Sequence, residues 1–166
     1  MKKIIICLIT ISMSSCCHNI DDNHSVGSDH KLSRHDEIRK IIVDSWIRDL
    51  ESSDKLTAGE QDGLEKMKRE KHKYLSDLEI RGPFTIEQVE QESLERIRNS
   101  SKKDVPQVPF CFGNDEWNVL KSKYNKGDVF YYLKTDERRW LYLSGYEGYV
   151  LIHNNEVLDM IIISMN

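Results

Sequence analysis

The chain has 166 residues, 39% of them hydrophobic and 31% charged, with a net charge of −4. That composition belongs to a folded soluble domain rather than a disordered chain. The acidic balance gives no electrostatic footprint for nucleic acid, and no run of Lys or Arg seeks anionic lipid.

Lys2 and Lys3 open the chain, and residues 4–13 form an apolar run broken only by Thr10 and Ser12. Ser14, Ser15, Cys16 and Cys17 follow. This is the layout of a secretory signal, too short to span a bilayer as a mature helix. Met13-Ser14-Ser15-Cys16 resembles the lipobox of bacterial lipoproteins, with Met at the aliphatic position. The resemblance implies a signal peptide over residues 1–15 and acylation of Cys16, which becomes the first residue. Cys17, rather than Asp, at the next position implies sorting to the outer membrane. The implied location is therefore the bacterial cell envelope, lipid-anchored and facing the periplasm. One acyl chain binds membrane reversibly, but the several chains of a bacterial lipoprotein make a stable anchor. Losing Lys2 and Lys3 with the signal takes the net charge from −4 to −6. Cys7 leaves as well, so Cys17 and Cys111 are the only remaining thiols besides the lipid site. No disulfide framework is possible, and hydrophobic burial must hold the fold.

Residues 18–30 hold His18, His24 and His30 among Asn, Asp, Ser and Gly, with only Ile20 and Val26 apolar. Such a stretch cannot bury enough surface to offset its ordering entropy, so residues 16–30 read as a lipidated tether. The histidine spacing is not of the zinc type, and neither metal nor cofactor is expected. Residues 31–166 read as one domain, with a helical part over 31–104 and a short helix plus sheet over 105–166.

The first helix is predicted over residues 34–50, capped by Ser33, with Ile38, Ile41, Ile42, Trp46, Ile47 and Leu50 at helical spacing. A second starts after Thr57, which forms a capping box with Glu60, and carries a thin stripe through Leu64, Met67, Tyr74, Leu75 and Leu78. Arg81-Gly82-Pro83 reads as its stop. Thr85 and Gln88 make another capping box, with Phe84 and Val89 as a hydrophobic staple. That third helix is expected to bury Val89, Leu94 and Ile97 and to show Glu87, Glu90, Glu92 and Glu95 to water. The prolines of residues 105–110 make an extended connector. Asn114 or Asp115 then caps a short helix with Trp117, Leu120 and Tyr124, closed by Gly127.

Beyond Gly127 the pattern changes to strand. Residues 129–133 are aromatic and β-branched, residues 140–143 are read as a further strand, and residues 149–153 and 156–164 flank Asn154-Asn155. Two Asn suit a two-residue type I′ turn. An unbroken register would face Leu151 to Leu158 and Tyr149 to Met160. Both faces of that hairpin are apolar, interrupted by Asp159, so both need cover. The expected fold is α+β: three to four helices on a small antiparallel sheet of three to four strands ending in a C-terminal β-hairpin.

Pro109-Phe110, Asn114-Asp115-Glu116-Trp117, Gly127-Asp128, Gly148-Tyr149-Val150-Leu151-Ile152 and Ser164-Met165-Asn166 resemble a recurrent tail in small uncharacterised bacterial proteins. The resemblance covers about a third of the chain and implies a folded module with no known activity.

No HExxH, EF-hand, GxSxG or phosphate loop is present. Cys111, His153 and Asp115 can be written as nucleophile, base and orienter, but no helix N-terminus supports the thiol and an inert Cys111 is the better reading. Arg138, Arg139, Trp140, Tyr142 and Tyr146 cluster within ten residues and are of the types enriched at interface hot spots. The leading expectation is a non-enzymatic, membrane-anchored module that binds a protein partner. The alternatives are an immunity-type protein that neutralises an envelope-acting toxin, and a Cys-dependent envelope hydrolase.

If Cys16 is the acylated residue, Cys16→Ala abolishes incorporation of labelled fatty acid and removes the protein from the membrane fraction. Equal labelling of the wild type and Cys16→Ala contradicts this, and loss of label only in Cys17→Ala moves the site by one residue.

Overall fold

The computed structural model describes residues 33–100, 104–141 and 145–165. The expected signal, Cys16 and the tether lie outside them, as do Tyr142 and the side chain of Arg138. In chain order the elements are α1 (Arg34–Glu51), α2 (Ala58–Arg69), α3 (Lys71–Ser76), β1 (Leu78–Phe84) and α4 (Ile86–Asn99). A 3₁₀ turn (Cys111–Gly113), α5 (Asn114–Ser122), β2 (Val129–Thr135), α6 (Glu137–Leu141), β3 (Tyr146–His153) and β4 (Glu156–Met165) follow. The strands form one antiparallel sheet in the order β1-β2-β3-β4. The fold is α+β.

α1 begins where Ser33 Oγ accepts the Asp36 N–H at 3.2 Å. It lays Ile38, Ile42, Val43 and Trp46 on one face of the sheet, against Leu78, Ile80, Tyr131, Leu133, Val150 and Ile152. Met67 of α2 completes that core. The long second helix of the sequence reading is two helices, because the backbone departs from helical geometry at Glu70 (φ −104°, ψ 25°).

The opposite face is also covered, by α4 and α5, which lie in the connection between β1 and β2. Val89, Trp117 and Leu120 pack there with Phe130, Tyr132, Tyr149, Leu151 and Ile161. A sheet apolar on both sides thus sits between two helical layers of its own chain. α4 buries Val89 as expected and Ser93 besides, but Leu94 and Ile97 are only half-buried, and Glu90 and Glu92 are half-buried rather than turned to water.

Three sequence readings are corrected. Arg81-Gly82-Pro83 does not end a helix; it lies inside β1, which pairs Leu78 with Thr135 and Ile80 with Leu133. The register shifts between Arg81 and Phe84, so Phe84 changes to the second face and pairs with Phe130. Gly82 permits this, since its φ is +122° and a Cβ would press on the Phe130 carbonyl at 3.1 Å. Residues 137–141 are helix rather than the start of a strand, because Asp136 Oδ1 accepts the Arg139 N–H at 3.1 Å and caps the turn.

The third correction concerns the hairpin. Asn154 and Asn155 have the positive φ of the expected turn (46° and 65°), and His153 faces Glu156. A bulge at Leu158 then pairs Leu151 with Asp159, Val150 with Met160 and Tyr149 with Ile161. One extra residue exchanges the faces of everything beyond it. Met160 joins the α1 side and Ile161 the α4 side, while Leu158 is left 41% exposed. A second shift falls beside Gly148, where a Cβ would overlap the Ile161 carbonyl oxygen.

Leu151 is fully buried whereas Ile162 is 38% exposed. Leu151→Ala is therefore expected to destabilise by about 2–5 kcal/mol, and Ile162→Ala by about 1 kcal/mol or less, measured by denaturant unfolding. Equal losses would mean that the bulged register is wrong.

Candidate functional site

α4 is fixed at its start by a capping box. The Thr85 N–H donates to Gln88 Oε1 at 2.8 Å, and Thr85 Oγ1 accepts the Gln88 N–H at 3.3 Å. It is fixed to α5 through Glu90, whose Oε1 accepts from Trp117 Nε1 (2.9 Å) and Lys121 Nζ (2.7 Å). Burial opposes the charge on Glu90, but those two donors outweigh it and hold the carboxyl below its ordinary range.

Just before α5 the chain turns tightly, with the Cys111 N–H donating to the Val108 carbonyl at 2.9 Å and the Gly113 N–H to the Phe110 carbonyl at 2.8 Å. Phe110 and Cys111 both adopt left-handed backbone (φ 62° and 53°), a conformation that costs a bulky residue about 1–3 kcal/mol. Two interactions hold it. Ser93 Oγ accepts the Phe110 N–H at 2.6 Å, and the Phe110 ring packs between Trp117 (centroids 4.8 Å apart) and Tyr149 (5.9 Å). The loop thus packs a half-buried Phe110 against the second core and turns Phe112 outward, 78% exposed.

Beside Phe112 runs a groove of about 880 Å³. Ser93, Arg96 and Ile97 of α4 form one wall, Phe112 and Glu116 the other, and Tyr149 with Ile161–Ile163 the floor. One end is polar. Arg96 pairs with Glu147 at 3.0 Å, and the Tyr132 hydroxyl donates to the other Glu147 oxygen. Arg81 lies over the Tyr132 ring at 4.1 Å and reaches Glu92 at 3.8 Å; Glu92 accepts the Tyr149 hydroxyl at 2.5 Å. Burial first, and the hydrogen bond to a carboxylate second, push both phenols above their ordinary pKa. Two phenols and two arginine–carboxylate contacts form a charge-balanced network, of which Arg96, Glu147 and Tyr149 line the groove.

Cys111 lines this groove, partly exposed. His153 does not join it there: its Nδ1 bonds the buried carboxylate of Asp128, its Nε2 lies 2.8 Å from the Asn154 amide, and Asp115 is exposed on α5. The triad written from the sequence is not assembled. Among the described residues no group of three or more His, Cys, Asp or Glu is placed to hold a metal, and no helix is long and apolar enough to cross a membrane.

The aromatic cluster proposed as an interaction surface is divided. Tyr146 belongs to the α1-side core, edge-on to Trp46 at 5.8 Å, with burial raising its pKa. Trp140 Nε1 donates to the Thr135 carbonyl at 3.2 Å, and its ring lies so close to Gly145 that a Cβ there would collide with it. Arg139 covers the Tyr74 ring at 4.6 Å and reaches Asp77 at 3.5 Å. Tyr146 and Arg139 fasten β3 and α6 to the first helical layer, while Trp140 packs between the end of β2 and Gly145. The groove was missed in the sequence, where its signals were Phe110-Cys111-Phe112 and the uncovered second face of the hairpin.

Compared with known proteins, the chain matches no family model, no curated protein and no solved structure.

The raised phenol of Tyr149 sets a direction with pH. Above its unfolded pKa of about 10, the unfolded chain releases a proton that the folded chain keeps, so stability present below pH 10 falls as pH rises. Tyr149→Phe is expected to lose less stability than wild type between about pH 9 and about pH 11, with a residual slope from Tyr132 and Tyr146. An unchanged slope in denaturant titrations would show that the phenol ionises as freely in the fold as outside it.

Proposed function

We propose that this chain is an envelope lipoprotein, anchored through Cys16, whose folded domain binds a protein partner in the groove between α4 and the Phe112 loop, floored by β4. The observation that carries the reading is Phe112. Phe112, 78% exposed, shares the lining of the groove with Ile161–Ile163, so it belongs to a grouped apolar surface rather than standing alone; grouped exposed apolar surface marks interaction sites, and aromatic side chains are enriched at interfaces. Holding it outward requires two consecutive non-glycine residues in left-handed conformation. Strain of that kind is kept where surrounding structure enforces it and clusters at functional sites. Leu158, Ile162 and Met165 of β4 add exposed apolar surface on the neighbouring strand. The groove network holds its phenols protonated and offers Cys111 no histidine among its lining residues, which favours binding over hydrolysis.

The test places a photo-crosslinking amino acid at position 112 of the full chain in intact cells, with position 58 on the exposed start of α2 as control. A discrete protein adduct from position 112, absent from position 58, is expected. No adduct at position 112 above the control contradicts the reading.

A further inference from the structure

A two-fold interface uses the same patch on both partners, so the patch must be complementary to itself. The groove face meets that condition in shape. Phe112 is a knob standing 78% clear of the surface, and the groove beside it is larger than one benzyl group requires. A rotation that brings the Phe112 of one copy to the groove of another necessarily brings the second Phe112 to the first groove.

The charges fit the same rotation. Glu116 stands on the Phe112 wall and makes no hydrogen bond or ion pair among the described residues. Arg96 stands on the facing wall, bonded on one side to Glu147 and still 40% exposed. Exchanging the knobs carries the Glu116 of each copy toward the Arg96 of the other, giving an unpaired carboxylate a cation that already holds one partner. The floor presents no like charge to its own image, since Ile161–Ile163 are uncharged and Asp159 is neutralised by Lys123 at 2.5 Å.

We infer that the partner in this groove is a second copy of the chain, docked about a two-fold axis with Phe112 of each copy in the groove of the other and Glu116 facing Arg96. This rests on the reading of the groove as a protein-binding site and names its occupant.

The charge pair makes the inference testable by exchange. Two differently tagged full-length copies are expressed together, solubilised in mild detergent and recovered through one tag. Wild-type copies are expected to co-purify. Glu116→Arg with itself opposes two arginines at each contact, and Arg96→Glu with itself opposes two glutamates; both pairings are expected to lose at least about tenfold of the recovered partner, the effect of roughly 1.4 kcal/mol. One copy bearing Glu116→Arg with one bearing Arg96→Glu restores an opposite pair at both contacts, and recovery should return. Arg96→Glu also removes the intrachain pair with Glu147, so thermal unfolding of each variant checks the fold. The mass of the adduct from position 112 gives a readout free of these substitutions and is expected at twice that of the chain. Wild-type copies that do not co-purify, or a mixed pair no better than the like pairs, overturn the inference. An adduct of position 112 with a different protein overturns self-pairing but leaves the groove a binding site, whereas no adduct at all removes both readings.

Discussion

The sheet has no face that can be left wet, and the rest of the structure follows from that. Val150 and Ile152 of β3 point one way, Tyr149 and Leu151 the other, and all four are buried. Leaving either set exposed would forfeit about 1.5–3 kcal/mol for each large side chain. The chain meets the requirement with order rather than size. α1, α2 and α3 precede the sheet and cover one face, while α4 and α5 are inserted between β1 and β2 and cover the other. The bulges belong to the same solution. They send Phe84 and Ile161 to the second layer and Met160 to the first.

Cover of the second face is incomplete along β4, and the groove is the consequence. α4 and α5 are pinned together through Glu90. Ahead of α5 the chain returns Phe110 to the core through two left-handed residues, the first fastened by Ser93. The energetic return is the half-buried ring of Phe110 packed on Trp117 and Tyr149; the by-product is Phe112 turned outward over an apolar floor. The polar end is rigid for a related reason, since Tyr132 and Tyr149 project from the sheet into the α4 layer and need acceptors, which Glu147 and Glu92 provide.

Much of the helical architecture was legible because its signals are local. Ser33, Thr57 and Thr85 cap their helices as the sequence indicates, and the stripe of α1 lies on the core. β1 was not legible, because its strand character comes from pairing with β2 while Gly82-Pro83 reads locally as a break. Residues 137–141 differ in the other direction: Trp140 and Leu141 have strand propensity, and the cap supplied by Asp136 outweighs it. Asp159 was the one visible sign of the bulge. On the unbroken register it interrupts an apolar face, and the extra residue carries it instead to Lys123 at the end of α5. The cluster around Tyr146 shows why residue type alone does not locate a site. The same aromatic and arginine side chains that suit an interface also suit the seam between a strand and a helix.

The α4–α5 layer is as necessary to the sheet as the α1–α3 layer. Native-state hydrogen exchange in low denaturant separates the two layers, because cooperative units open together and reveal themselves by shared protection. Amides of α4 are expected to lose protection in the same transition as those of β2 and β3. Exchange of α4 at much lower denaturant, with β2 and β3 still fully protected, would contradict it.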